Sequence, residues 1–385
     1  MIRNKRFRTD VIVLGGGCAG LSLASRMAES RTGPAMIVVE SRAAYQEDRT
    51  WCGWRLNPHF FDDCVVREWN SWQVVDNDGE QLQASDEYPY EMVSAAKFYE
   101  KACGLISASE SVKLLTGATV VAVKETPAQV DVHLADGTVL CAPWVIDTRP
   151  KTTELGWPWI WQSFVGYVVD AERPHGLGFD ATPTLMNFQA EEGHVAQFVY
   201  VLPLSPTQFL VEWTRLSKNN EPLAAIEGRL TRWLDEYTPR WQLVRRESGS
   251  LPMAVPVKEP SAPRIVRAGM RGGSMRASSG YAFHAIQRWA DDCAASLVTE
   301  GFPVPPVRSR LLEALDGSFL SVLQTEPGAA RELFTELFAH CPADPLVRFL
   351  AGQPKVSDYW PVIASLPWRR FLPTVPTAIG QWCRA

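Results

Sequence analysis

The chain has 385 residues, 46% apolar and 21% charged, with a net charge of -5. That composition suits a folded protein large enough to enclose a big ligand, and it lacks the basic surplus that nucleic-acid binding requires. The eight cysteines form no Cys-x-x-Cys pair, and His59, His133, His175, His194, His284 and His340 show no ligand spacing, so no metal is expected.

Near the start, Asp10-Val-Ile-Val-Leu-Gly15-Gly16-Gly17-Cys18-Ala19-Gly20 reads as a buried strand, a glycine turn and a helix. Met36-Ile-Val-Val-Glu40 follows as a strand ending in an acid, which completes a dinucleotide-binding βαβ unit. Gly15 permits the tight turn, Gly17 the approach of a pyrophosphate, and Gly20 close helix–strand packing. The helix start at Cys18 and Ala19 turns unpaired N–H groups toward phosphate, and Glu40 is placed to accept from a ribose hydroxyl. Arg42 and Arg49, in the polar stretch beyond, are further cofactor-binding candidates.

Asp48-Arg-Thr-Trp-Cys-Gly-Trp54 comes next. Fifteen tryptophans are many for this length, and they cluster at Trp51 and Trp54, Trp69 and Trp72, and Trp157, Trp159 and Trp161. Core filling and an aromatic-walled pocket are both open readings; on the second, Trp51 and Trp54 line the substrate pocket. Residues 66–83 alternate as short strands around an Asn77-Asp-Gly79 turn, and Tyr88 to Lys101 has helical periodicity. Strands at Thr119–Val123, Val130–Leu134 and Trp144–Asp147 close the nucleotide half, with Asp147 at its tip as a cofactor-binding candidate.

From Gln162 to about Arg246 the chain reads as consecutive strands of a mixed or antiparallel sheet, a natural cavity wall, with Tyr200 among the pocket candidates. Inside Phe209-Leu-Val-Glu-Trp-Thr214 stands an acid in an apolar frame. Either Glu212 is buried and kept neutral, ready to donate a proton, or alternation turns Leu210, Glu212 and Thr214 toward solvent. Trp213 and Thr214 join Glu212 as catalytic candidates. Arg264 to Ile286 returns to the nucleotide half, where Gly273, Ser279, Gly280 and Tyr281 can bring backbone N–H groups to a cofactor. From Val304 the chain reads mostly helical, with Leu333, Phe334, Leu337 and Phe338 on one apolar face. The resulting divisions are a nucleotide-binding part at 1–160, with 66–100 contributing to the substrate side, a substrate sheet at 161–250, a return at 251–300 and a helical region at 301–385.

Several strings together resemble the lycopene cyclase family of carotenoid biosynthesis. Asp48-Arg-Thr-Trp51-Cys-Gly-Trp54 is similar to that family's Asp-x-Thr-Trp-x-x-Trp signature. Trp144–Pro150, Phe198–Leu204 ahead of Leu210-Val-Glu212-Trp-Thr214, Ser278–Phe283, Asp316–Leu320 and Arg348–Leu350 extend the likeness along the chain. The resemblance implies an α/β fold of the flavoprotein hydroxylase type: an FAD-binding Rossmann-like domain, an interleaved mixed β-sheet substrate domain and a helical C-terminal region. It implies bound FAD, reduced by NADPH or another external donor, and a ring closure at the end of a linear isoprenoid without net redox change, with Glu212 as acid. The family usually carries a second acid directly after that glutamate, where this chain has Trp213. A monooxygenase of the same fold, or a cyclase of another polyene or prenylated compound, are the alternative readings. The scattered cysteines and the absence of a long apolar run point to a cytoplasmic protein without a signal peptide. An apolar substrate implies peripheral membrane contact, for which Trp368-Arg-Arg-Phe371 is the candidate surface.

Overall fold

The computed structural model describes residues 5–374 except 31, 151–155, 157, 172–181, 190–194, 239, 258–259 and 261. Trp157, His175, His194 and Cys383 therefore lie outside the described residues.

In chain order, β1 (Arg6–Arg8) precedes β2 (Val11–Leu14), α1 (Cys18–Glu29) and β3 (Met36–Val39). Next come β4 (Thr50–Trp54), β5 (Val65–Trp69), β6 (Ser71–Asp76), β7 (Gly79–Ala84), β8 (Tyr90–Ser94), α2 (Ala95–Ser107) and β9 (Val112–Leu115). Strands β10 (Val120–Glu125), β11 (Val130–Leu134), β12 (Val139–Ala142) and β13 (Trp144–Asp147) follow. Strands β14 (Trp159–Ala171), β15 (Thr184–Phe188), β16 (Ala196–Pro203) and β17 (Gln208–Ser217) precede α3 (Leu223–Tyr237) and β18 (Trp241–Ala254). The chain finishes through β19 (Ile265–Arg267), α4 (Phe283–Thr299), α5 (Arg310–Thr325), α6 (Ala329–His340), α7 (Ala343–Leu350), α8 (Tyr359–Ala364) and α9 (Trp368–Phe371).

Five strands, ordered β19-β13-β2-β3-β9, form a wholly parallel sheet. Its central strands β2 and β3 are apolar throughout because both faces are covered. Val11 and Val13 face α1, α2 and α4, while Ile12 and Leu14 face the separate β1-β12-β11-β10 sheet. Each such aliphatic side chain contributes roughly 1.5–3 kcal/mol on burial.

The second large sheet runs β18-β14-β17-β16-β15-β6-β7. One of its faces is closed by α3, where Ile226, Leu230 and Trp233 pack on Val165, Val199 and Val211. Its other face is hollow and is roofed by α5, α6 and α7. A small β4-β8-β5 sheet joins the two halves.

Two elements differ from the sequence reading. Tyr88 to Lys101 is not one helix: Tyr90–Ser94 is a fully buried strand between β4 and β5, and α2 starts only where the Ser94 hydroxyl accepts from the Lys97 N–H. The apolar periodicity across that junction is shared by a strand buried on both faces and a helix, so it hid the boundary. The middle section is also not strands alone, because α3 and the 14-residue β18 follow β17. Among the described residues, no helix is long and apolar enough to cross a membrane.

Candidate active site

The first turn of the molecule is a tight glycine turn that leads into an uncapped helix. Gly15 has a φ of +99°, and a Cβ on Gly20 would lie 2.0 Å from the Gly15 carbonyl oxygen, so both positions demand glycine. Helix α1 has no side-chain cap, and its first bond runs from the Leu21 N–H to the Gly17 carbonyl. The N–H groups of Cys18, Ala19 and Gly20 are therefore without intrahelical partners, beside open space at Gly17. This cradle fits a dinucleotide pyrophosphate. Burial pushes the Cys18 thiol up to about 12, which makes it a packing group.

Glu40 stands at the end of β3, where its carboxylate accepts from the Gly16 N–H at 2.7 Å and the Arg42 N–H at 2.8 Å. Burial alone would raise its pKa, but these N–H donors and the Arg42 guanidinium lower it, so the acid is anionic beside the glycine turn. Asp147, at the tip of β13, is clamped by Arg149 at 2.9 Å and Arg271 at 2.6 Å. Arg49 pairs with Asp48 at 3.1 Å. Gly273 ends a short 3-10 turn with a φ of +86°, against Pro256 and Arg308.

A cavity of about 220 Å³ lies on the hollow face of the large sheet. Alternation along β17 points Leu210, Glu212, Thr214 and Leu216 into it, and Phe198 and Tyr200 arrive from β16. Thr50, Cys52 and Trp54 form one wall from β4, and Leu320, Leu323, Phe334 and Phe338 form the roof. The loop Ser278–Tyr281 closes one side. That loop is fixed by Arg276, whose guanidinium forks onto buried Asp316 of α5 at 2.8 Å, and by Ser278, which donates to Asp316 at 2.8 Å. Trp54 packs edge-on to Tyr90 at 5.0 Å and to Tyr281 at 5.3 Å. The Tyr90 hydroxyl meets that of Tyr200 at 3.0 Å, and burial holds both phenols well above their usual range.

Glu212 is the acid of this cavity. Its carboxyl touches the hollow but is otherwise enclosed by protein, and burial, reinforced by nearby Glu247, pushes its pKa well above the carboxylate range. Its surroundings thus favour the proton-bearing form of an acid that faces a mostly apolar space. Thr214, 1% exposed, lines the same wall.

Two sequence expectations are corrected here. Trp213, one residue along β17, faces the other way and packs under α3 with Ile226 and Leu230, so it cannot reach the cavity. Trp51 likewise turns to the back of β4, stacked on Phe283 at 5.7 Å and edge-on to Phe98 at 4.9 Å. In both cases a period of 2 along the strand decides the side.

A second buried carboxylate escaped the sequence reading. Glu91 of β8 receives Nε2 of His59 at 2.7 Å and Nε2 of His284 at 2.8 Å on one oxygen, with Arg55 at 3.6 Å from the other. Burial opposes its charge, yet the two imidazoles outweigh that and hold its pKa down to about 2. Burial also lowers the pKa of His284. The three ligand-type atoms lie within 4.8 Å of one another. However, Nδ1 of His59 accepts the Phe61 N–H at 3.2 Å, so its proton sits on Nε2, aimed at Glu91 rather than free to ligate. The signal was present in Tyr90-Glu-Met-Val-Ser94, an acid in an apolar frame like that of Glu212. Glu247, in Arg245-Arg-Glu-Ser-Gly249, had no such frame.

Solved structures share this architecture. A geranylgeranyl bacteriochlorophyll reductase-like protein from Thermoplasma acidophilum superposes with a TM-score of 0.61 at 13% identity, over 97% of this chain and 100% of that one. The p-nitrophenol 4-monooxygenase of Pseudomonas putida DLL-E4 gives 0.61 at 14% identity, over 95% and 98%. The fold is therefore that of the flavoprotein hydroxylases. Among curated proteins, the lycopene beta-cyclase of Pseudescherichia vulneris is 27% identical over 301 residues, 74% of each chain. That of Pantoea ananas is 26% identical over 262 residues, 64% of this chain and 66% of its own. The profile described as lycopene cyclase protein matches residues 10–375, nearly the whole length, and the chain belongs to that family.

Proposed function

We propose that the protein binds FAD and, with the flavin reduced by NADPH or another external donor, closes a ring at the end of a linear isoprenoid such as lycopene. The observation that carries this reading is a carboxyl, Glu212, held by burial well above the usual carboxylate range at the wall of a mostly apolar cavity. Cys18 to Gly20 would hold the pyrophosphate through their N–H groups, and Glu40 the ribose. When bound, reduced flavin supplies electron density that stabilises positive charge. Glu212 gives its proton to a terminal double bond, the neighbouring double bond attacks the tertiary cation, and loss of a ring proton ends the reaction with no net redox change. The faces of Trp54, Tyr90, Tyr200 and Tyr281 stabilise the passing cation and keep water out. At about 220 Å³ the cavity is smaller than the roughly 300–1,000 Å³ sites that enclose a whole drug-sized ligand, so it suits one chain end rather than the full polyene. Delivery from a lipid surface fits the exposed Trp360 and Trp368, 77% and 60% accessible on α8 and α9.

The test is anaerobic incubation with lycopene and chemically reduced flavin. A cyclised product of unchanged mass is expected. A product that has gained an oxygen atom, or formation only in air, would make the enzyme a monooxygenase, and no ring from any polyene would sink the reading.

A further inference from the structure

We propose that Glu247 is the positioning partner of Glu212, a second carboxylate laid over Gly166 that keeps the proton on the acid until substrate takes it. The inference rests on Glu212 being the proton donor. Gly166 of β14 is in register with Glu212 of β17 on one side and with Glu247 of β18 on the other. The three residues form one row across the sheet, and residues in register project to the same face.

The middle residue has to be glycine for space. A Cβ at Gly166 would lie 2.8 Å from Cγ of Glu212 and 3.2 Å from Cγ of Glu247, so the two acids occupy the volume that any side chain there would fill. The two acids therefore lie side by side over the Gly166 backbone.

The polar partners are asymmetric. Oε2 of Glu247 accepts from Arg245 at 2.8 Å and from the Thr50 hydroxyl at 3.0 Å, and Thr50 in turn accepts from Arg245 at 2.7 Å. Oε1 of Glu247 is buried without a donor. An acceptor stranded in that way is destabilising, and a protonated Glu212 is the neighbour that can satisfy it. The guanidinium of Arg245 is therefore committed to Glu247, which leaves the single shared proton to Glu212. The other groups around the acid, Tyr200 from β16 and Cys52 from β4, are neutral, since burial raises both well above neutral pH.

The proton ledger closes. The Glu212 O–H bond breaks and the substrate π pair forms the new C–H bond; the second double bond closes the ring; a ring C–H bond breaks, its electrons become the new double bond, and its proton returns to the carboxylate pair. No oxidant or reductant is consumed. While substrate carries the positive charge, two carboxylates against one guanidinium leave net negative charge beside it.

The test compares wild type with Glu247→Gln, which keeps size and hydrogen bonding but removes the charge. Activity needs protonated Glu212, so the alkaline limb of the rate profile should move to lower pH by about one unit or more, with roughly a tenfold loss between the two midpoints and bound flavin absorbance unchanged. Infrared titration of the protonated carboxyl, assigned by its loss in Glu212→Gln, should show the same shift without any substrate. Glu247→Asp keeps the ion pair but withdraws the carboxylate, and should give a smaller shift of the same sign; it decides the matter if the amide variant does not fold. An unmoved limb and an unmoved carboxyl band in a folded variant overturn the pairing. Absence of ring formation by wild type would instead fault the cyclase reading, and the infrared band would still report on the pair.

Discussion

Glu91 and Glu212 are both set in apolar strands, the first fully buried and the second open only to the cavity, yet their surroundings push their pKa values in opposite directions. Burial penalises the anion at each. At Glu91 two imidazole N–H groups and a guanidinium converge on the carboxylate and win. At Glu212 burial and the neighbouring acid Glu247 act together and outweigh the opposing Arg245 guanidinium. The difference teaches that the count and sign of neighbouring donors, rather than depth, separates a structural anion from a proton source.

The largest expected effect is on catalysis. Glu212→Gln should lower ring formation by about 10²–10⁴-fold while leaving flavin absorbance unchanged and the melting temperature at or above that of wild type, as measured by product yield and thermal denaturation. Because the folded pKa of Glu212 is raised, its contribution to stability is present below its unfolded value and is lost as pH rises through the folded value. The amide variant should therefore gain stability relative to wild type on the alkaline side.

Gly166→Ala comes next. Its methyl group would meet Glu212 at 2.8 Å, so one acid must leave the row. We expect about a tenfold loss of rate together with a displaced alkaline limb; a wild-type profile would show that the close approach has no consequence.

Glu91→Gln should act on stability rather than on the acid chemistry. With a pKa held at about 2 against an ordinary 4.5, the carboxylate contributes on the order of 3 kcal/mol at neutral pH. That contribution is present above 4.5 and is lost as pH falls toward 2, so wild type should show a steep acid dependence of melting temperature that the variant lacks. If instead the variant alters the alkaline limb of the rate, the two glutamates are not separate devices.

The smallest effect is expected from Trp213→Phe. Facing α3, it should leave the rate within a few-fold and cost about 1 kcal/mol in denaturant titration.

Much of the nucleotide half was legible because glycine turns and continuous apolar strands leave local marks: Gly15, Gly20 and the run at Val11–Leu14 sit where the spacing predicts. Glu212 was legible as a conflict between residue type and frame, although the choice between cavity and solvent needed to know what covers the hollow face. That information lies in Phe334 and Phe338, more than a hundred residues away, and no local pattern carries it. Trp51 and Trp213 were misplaced because resemblance marks a string of residues, whereas the strand alternates sides within it. Glu247 left no mark, since its partnership with Glu212 exists only through the register of β14 with β17 and β18.

The acid row is anchored wholly in hydrogen-bonded ladder, and none of its three residues belongs to a loop. Its spacing is consequently as stiff as the sheet, with no hinge by which the carboxyls could travel to meet a reacting carbon. Motion during turnover must fall to the substrate and to the helices above it, so a longer or bulkier ligand would be accommodated by shifting the roof while the floor stays still.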